Sequence, residues 1–351
     1  MLGACALVRC YVAATAIIIT EFCPICKFAR FYGRMDGVKG SDGMKYAVIS
    51  DVHGNIFALN AVLADARAQG VDRFLLLGDY TNSFPFGNDV ADAIRKLDGA
   101  VAVRGNGEDY LANLQGTKPQ DMTCEQFKPV YWAYQTLSPG NLAYMTALPE
   151  TAALTDSGVD IYLQHAVWLF YRQPKIPYFW SDEYRKIAAD APLSRELYLS
   201  RAKEAILANP EAVAEIRALP KGIHLYGHNH LPFVMEYDGR VFVNPGSCGE
   251  PLDLDTRAPY TILTVENGGY NIEERRVLYD LQQVAQGMKS CGYCDYAPAW
   301  SKVMELELFS GKDYFMRFVL HLVATGEAMG ETGYPVSNEV FDAAVKTWEP
   351  V

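Results

Sequence analysis

The sequence predicts a mixed α/β fold, with a parallel β-α-β-α-β unit in its first half and mixed or antiparallel strands in its second. Three observations carry this. From Met44 onward, short apolar runs alternate with segments of helical hydrophobic spacing, which implies parallel strands joined by right-handed crossovers. Beyond Thr151 strands dominate, and two pairs of them flank the turn signals Asp238-Gly239 and Glu266-Asn-Gly-Gly269. Five strand ends carry aspartate, asparagine or histidine, and in parallel α/β sheets the carboxyl ends of the strands share one crevice.

Taken in order, Lys45–Ser50 reads as a buried strand, followed by a helix near Ile56–Gln69 with Ile56, Leu59, Val62 and Leu63 at helical spacing. Arg73–Leu77 is a second strand ending in Gly78-Asp79. A helix near Asp89–Leu97 leads to a third strand, Ala100–Arg104, which ends in Gly105-Asn106. Two or three helices fill Leu111–Leu148. Strands Thr151–Thr155 and Val159–Gln164 follow, the second ending in His165. After a long excursion, Gly222–Tyr226 ends in Gly227-His228-Asn229-His230. Pro232–Tyr237 with Arg240–Asn244, and Tyr260–Val265 with Tyr270–Arg276, are the two turn-linked pairs.

The chain has 351 residues, half of them apolar, which is room for one large domain and an appendage. A net charge of −11 argues against a broad nucleic-acid or anionic-membrane surface but leaves a phosphorylated substrate open, because bound divalent ions invert the potential locally. The eight cysteines include two Cys-x-x-Cys pairs, Cys23/Cys26 and Cys291/Cys294. Their separation is wrong for a compact zinc site, so reduced thiols in a cytoplasmic protein are the expectation. Residues 1–43 do not resemble the rest. Tyr11 to Thr20 is apolar but too short to span a bilayer, and one positive charge, Arg9, precedes it. The expectation is a disordered or non-native extension with the functional chain starting near Met35 or Met44; a secretory signal is the alternative.

The strand-end residues are Asp51 and His53, Asp79, Asn106, His165, and His228 and His230, which together use four of the six histidines. Two carboxylates, one amide and four imidazoles suit manganese, iron, zinc or nickel better than calcium. Seven ligands exceed the needs of one ion. Two divalent ions bridged by a carboxylate resolve the count, and Asp79, central in the order, is the natural bridge. Each short motif alone reads as a turn or cap; their ordered recurrence does not.

Asp-x-His, Gly-Asp, Gly-Asn, His and Gly-His-x-His in this order resemble the calcineurin-like metallophosphoesterases. Ser50-Asp-Val-His-Gly-Asn-Ile-Phe-Ala-Leu59 and Val243-Asn-Pro-Gly-Ser-Cys-Gly-Glu-Pro251 are similar to the small bacterial phosphodiesterase branch. The resemblance covers about residues 44–277 and implies a four-layer αββα sandwich. It also implies one ion on Asp51, His53, Asp79 and His230, a second on Asp79, Asn106, His165 and His228, and attack on phosphorus by a metal-bridging hydroxide. Many members follow the third motif with a histidine that protonates the leaving group. Here the motif is Gly105-Asn106-Gly107-Glu108, without that histidine, which predicts a preference for leaving groups stable as anions.

Residues 166–221 read as an aromatic-rich cap insertion on the rim of the crevice. In it Trp168, Phe170, Tyr171, Tyr178, Phe179 and Trp180 are either faces for a base or aryl group or ordinary packing, and Arg172 and Lys175 are candidate phosphate contacts. Asn55 is expected to cap the first helix and is also a candidate substrate contact, since that helix N-terminus faces the same crevice. Asn244-Pro-Gly-Ser247 reads as a turn under the site. His224 reads as a core or sheet-face histidine, and His321 receives no role. The helical stretch 278–351 carries no catalytic constellation and either packs on the sandwich or forms a homo-oligomer interface. The sum predicts a dimetal phosphoesterase acting on a small phosphorylated substrate, nucleotides included. A scaffold with this fold but no catalysis, and a protein Ser/Thr phosphatase, are the alternatives.

Overall fold

Strand β2 (Met44–Ile49) lies in the middle of a five-stranded sheet of order β11-β10-β2-β3-β4. The computed structural model describes residues 34–35, 43–167 and 195–350. Strands β3 (Arg73–Leu76) and β4 (Val101–Ala102) continue the sheet in parallel on one side of β2. On the other side β10 (Ala258–Glu266) and β11 (Gly269–Val277) run antiparallel. The connections are α1 (Ile56–Ala68) and α2 (Gly87–Arg95), as the hydrophobic spacing predicts.

The second sheet has six strands in the order β1-β5-β6-β7-β9-β8. These are β1 (Arg34–Met35), β5 (Thr151–Asp156), β6 (Val159–Gln164), β7 (Gly222–Leu225), β8 (Phe233–Tyr237) and β9 (Arg240–Asn244). Strands β6, β7 and β9 are mutually parallel, so this sheet too gathers strand carboxyl ends on one side. β1 pairs in parallel with β5 and is an element the sequence reading did not anticipate in the N-terminal extension. The rest of that extension, with Cys23 and Cys26, and Arg172, Lys175 and the aromatics of 168–180 lie outside the described residues.

Alternation within the strands sets the layers. Tyr46 and Val48 of β2 face the second sheet, in a core with Leu75, Leu77, Ile161, Leu163, Leu225 and Val243. Ala47 and Ile49 face the opposite way, onto Leu59, Val62, Val90 and Ile94 of α1 and α2. Behind the second sheet, Phe233, Met235 and Phe242 pack on α6 (Arg195–Ala208) and α7 (Pro210–Ala218) through Ala202, Ile206 and Ile216. Helix, sheet, sheet and helix make the four layers. Between β4 and β5 stand α3 (Asn106–Asn113), α4 (Lys128–Thr136) and α5 (Pro139–Ala147).

Both predicted hairpin turns have the two consecutive positive φ values that such tight turns need: Asp238 (50°) with Gly239 (74°), and Asn267 (52°) with Gly268 (78°). Ser157-Gly158 forms a third, between β5 and β6. One boundary needs correcting. Helix α3 begins at Asn106 rather than at Leu111, because Glu108 in its first turn reaches back to accept the Gly105 N–H at 2.9 Å.

The C-terminal stretch forms α8 (Leu281–Ser290), α9 (Tyr293–Tyr296), α10 (Pro298–Ser310), α11 (Tyr314–Ala328) and α12 (Asn338–Thr347). These helices build a core of their own around Trp300, Phe318 and Phe341. That core includes Phe84 of the β3–α2 loop and touches Phe57, Phe86 and Trp132, so the extension packs on the sandwich. His321 bonds across α11 and α12 to Ala344 O (3.2 Å) and Thr347 Oγ1 (3.0 Å). Cys124, Cys248, Cys291 and Cys294 form no disulfide. No described helix is long and apolar enough to cross a membrane.

Candidate metal centre

The loops leaving β2, β3, β6 and β7 meet at one edge of the two facing sheets, and their backbones interlock. Asp51 N–H donates to Gly78 O (3.1 Å), His53 N–H to Asp79 O (3.0 Å) and Gly227 N–H to His165 O (2.8 Å). The Asp51 carboxylate accepts from His228 N–H at 3.0–3.1 Å, tying the first motif to the last. Gly227 makes this approach feasible: a Cβ there would lie 1.9 Å from Ser50 Oγ and 2.4 Å from Asp51 Oδ2. Gly227→Ala is therefore expected to cost about 3 kcal/mol of stability, the upper end of ordinary overpacking. A urea midpoint equal to that of the wild type would contradict this.

Two clusters of ligand atoms result. In the first, His53 Nε2 and His230 Nε2 are 3.0 Å apart, and they lie 3.8 and 3.6 Å from Asp51 Oδ1. In the second, His165 Nε2 lies 3.2 Å from His228 Nδ1, 3.1 Å from Asn106 Oδ1 and 3.3 Å from Asp79 Oδ2. Ligand bonds of about 2.0–2.1 Å at tetrahedral or octahedral angles put donor atoms about 2.9–3.4 Å apart, so these spacings match or slightly exceed those around one small ion each. Asp79 Oδ2 is also 3.8 Å from His53 Nε2, and it links the clusters. All seven residues named from the sequence come together here, and the donor set fits two divalent ions.

The far ring nitrogens are held as ligands require. His165 Nδ1 donates to Leu77 O (2.7 Å) and His230 Nδ1 to Glu250 O (2.9 Å), which leaves each Nε2 facing its cluster. Five of the seven residues (Asp51, His53, Asp79, His228 and His230) have left-handed backbone, with φ between 50° and 75°. That aims their side chains off the strand ends into the crevice.

Electrostatics sort the histidines into pairs. Burial alone would depress His53, but the carboxylates of Glu250, Asp51 and Asp79 overcome it and raise the ring to about 9. Against burial, Asp79 and Asp51 likewise raise His165 to about 10. Their neighbours go the other way: burial and the charge on His165 push His228 down to about 4, and burial with His53 beside it lowers His230. Asp51 and Asp79 are held below the usual carboxylate range, since the surrounding imidazoles outweigh burial. Each cluster thus pairs a raised imidazole with a lowered one, and the protonated ring nitrogen of one can donate to the bare nitrogen of the other.

Three further residues support the site and were missed in the sequence. Glu108 accepts from the N–H groups of Asp79 (2.9 Å), Tyr80 (3.0 Å) and Gly105 (2.9 Å), and burial with Asp79 beside it raises its carboxyl to about 7. A glutamate three residues into a helix after a glycine turn was a readable signal. Ser83 and Glu250 stand behind His53, and no local pattern marks them. Beneath the site, Ser247 Oγ donates to Asp51 O (2.7 Å), the floor role expected of Asn244-Pro-Gly-Ser247. Asn55 is fully buried: its Oδ1 caps α1 at Ala58 N–H (3.1 Å) and its amide donates to Gly249 O (2.9 Å). The polar atoms of this side chain are turned to the protein, as the helix-cap expectation requires. His224 is a core histidine stacked between Tyr162 and Phe242, with burial lowering it to about 4.

Known proteins resemble this chain in sequence and in fold. The uncharacterized protein MJ0912 of Methanocaldococcus jannaschii is 27% identical over 253 residues, covering 68% of this chain and 88% of that one. A metallophosphoesterase from Sphaerobacter thermophilus superposes with a TM-score of 0.52 at 23% identity, covering 77% of this chain and all of the other. The hypothetical protein PH1004 from Pyrococcus horikoshii OT3 does so with a TM-score of 0.52 at 15% identity, covering 73% and 97%. These two show the shared fold. The family model of the calcineurin-like phosphoesterase superfamily domain matches residues 44–268, which include every residue of both clusters. The chain therefore belongs to the calcineurin-like phosphoesterase superfamily, and its site is that of a metallophosphoesterase.

Proposed function

We propose that the protein hydrolyses phosphodiesters or nucleotide phosphoanhydrides, using two divalent ions held by Asp51, His53, Asp79, Asn106, His165, His228 and His230. The observation that carries this reading is the reach of Asp79 into both clusters, which makes one centre of two ligand sets. Ions bound there would supply an activated water and neutralise charge developing on a phosphoryl group. Manganese, iron, zinc and nickel all suit the mixed oxygen and imidazole donors.

The leaving group sets the substrate class. Gly107 offers no acid: its N–H donates to Asp79 Oδ1 (2.7 Å), and a Cβ there would lie 2.6 Å from Asn82 Nδ2, which a side chain would have to displace. General acid help is worth about 10²–10⁴-fold, so departure without it favours aryl, nucleotide or phosphoanhydride leaving groups. With manganese present, kcat/KM on bis-aryl phosphate should exceed that on glycerol phosphate by at least about 10²-fold. The opposite order would refute the proposed substrate class.

A further inference from the structure

We propose that Asn82 is a further catalytic residue: its side-chain amide donates to a non-bridging oxygen of the phosphoryl group bound at the two clusters. The inference rests on the phosphoesterase reading above and deepens it, by naming a neutral donor that meets the substrate beside Gly107.

The loop that carries Asn82 is bolted at both ends. Before it, Asp79 O accepts from His53 N–H (3.0 Å) and Tyr80 O from Gly54 N–H (2.8 Å); after it, Phe84 N–H donates to His53 O (2.8 Å). Asn82 stands between these ties with φ at 92°, in the left-handed region that asparagine tolerates better than most residues. Its neighbour Thr81 is fully buried, and Thr81 Oγ1 donates to Asn82 Oδ1 at 3.4 Å.

The nitrogen of the same amide is a donor held in reserve. Asn82 is 9% exposed, and among the described residues no acceptor takes a hydrogen bond from its Nδ2. That nitrogen lies 2.6 Å from the point a Cβ on Gly107 would occupy, and Asp79 Oδ1 lies 3.1 Å from the same point. A carboxylate on that side favours the amide nitrogen there over the amide oxygen, which agrees with the oxygen facing the Thr81 hydroxyl. Asp79 and Asn106 both belong to the second cluster, and α3 begins at Asn106, so the donor stands beside a helix N-terminus that draws anions. A buried donor without a partner is unfavourable unless a ligand brings the acceptor. A phosphoryl oxygen held at the clusters is an acceptor of the right charge in the right place. An amide keeps its proton, so Asn82 stabilises charge on the phosphoryl group and does not protonate the leaving group. That agrees with leaving groups stable as anions.

Inorganic phosphate is the probe for binding and bis-aryl phosphate the probe for turnover, both on the manganese-loaded full chain with metal counted by elemental analysis. Wild type, Asn82→Gly and Asn82→Asp are compared. Asn82→Gly removes the amide and eases the left-handed backbone, so it should fold as stably as wild type and keep two ions. It should bind phosphate about 10–100-fold more weakly, the worth of a hydrogen bond to a charged group. Its kcat on bis-aryl phosphate should fall about 10²–10³-fold, as for other preorganised donors aimed at developing charge. Asn82→Asp keeps the shape but sets an acceptor in place of the donor, and should bind phosphate more weakly still. It decides the matter alone if Asn82→Gly does not fold. Phosphate affinity unchanged in either folded variant would overturn the inference. So would loss of an ion in Asn82→Gly, because the amide would then act through the ions and not on the substrate. A wild-type chain that binds two ions and phosphate but hydrolyses no bis-aryl phosphate would overturn the proposed function, and the phosphate affinities would still decide this inference. One that binds no ion would overturn both.

Discussion

Asp79→Asn is expected to abolish binding of both ions and to lower kcat/KM on bis-aryl phosphate by at least about 10³-fold, or about 4 kcal/mol of transition-state stabilisation. Asp79 Oδ2 stands 3.8 Å from His53 Nε2 and 3.3 Å from His165 Nε2, so a neutral amide there weakens both sites at once. The Asn side chain can still accept the Gly107 N–H that Asp79 Oδ1 accepts at 2.7 Å, and the loop should keep its shape. The contrast is His230→Ala, which touches only the Asp51 cluster and should leave one ion bound. Elemental analysis of the two variants, with circular dichroism to confirm folding, reads the difference. Two ions retained in Asp79→Asn would remove the shared carboxylate from the account.

Loading the metal-free protein at pH 8 is expected to release about two protons, one per ion, because a ligating imidazole must be neutral. His53 and His165, raised to about 9 and about 10, hold those protons. His228 at about 4 and the lowered His230 have none to lose. The sign follows from the direction of the shifts. Stability that the charged rings contribute to the metal-free fold is fully present below about pH 6.5 and is lost as pH rises through 9 and 10. Metal affinity runs the other way, and the product of the two association constants should rise about 100-fold per pH unit from pH 7 to 9. Calorimetry in two buffers of different protonation enthalpy counts the protons. Release near zero would contradict the charge assignment of the clusters.

The residues of the two clusters were legible in the sequence because each lies at the end of an apolar strand, all but His165 within three residues of a glycine, and the carboxyl ends of parallel strands converge by topology alone. The interleaving of β6, β7 and β9 into one sheet was not legible. Those strands are separated by α6, α7 and a hairpin, and apolar patterning fixes which face is buried but not which neighbour is paired. Glu307 illustrates a harder limit. On a helical wheel it reads as an ordinary charged position between Leu306 and Leu308, and only tertiary packing buries it. The start of α3 was missed for a smaller reason: Asn106-Gly107 has turn composition, and the cap from Glu108 overrides it.

The left-handed backbone at Asp51, His53, Asp79, His228 and His230 sets durability against chemistry. Each such residue costs about 1–2 kcal/mol relative to glycine or a right-handed conformation, and a whole domain is typically stable by only about 5–15 kcal/mol. The interlocking hydrogen bonds of the loops offset part of that cost, and ligation would offset more when ions are bound. A library of this protein screened only for heat resistance in the presence of a chelator would accumulate glycine at the ligand positions first. The survivors would keep both sheets and every helix, and would have discarded the phosphoesterase.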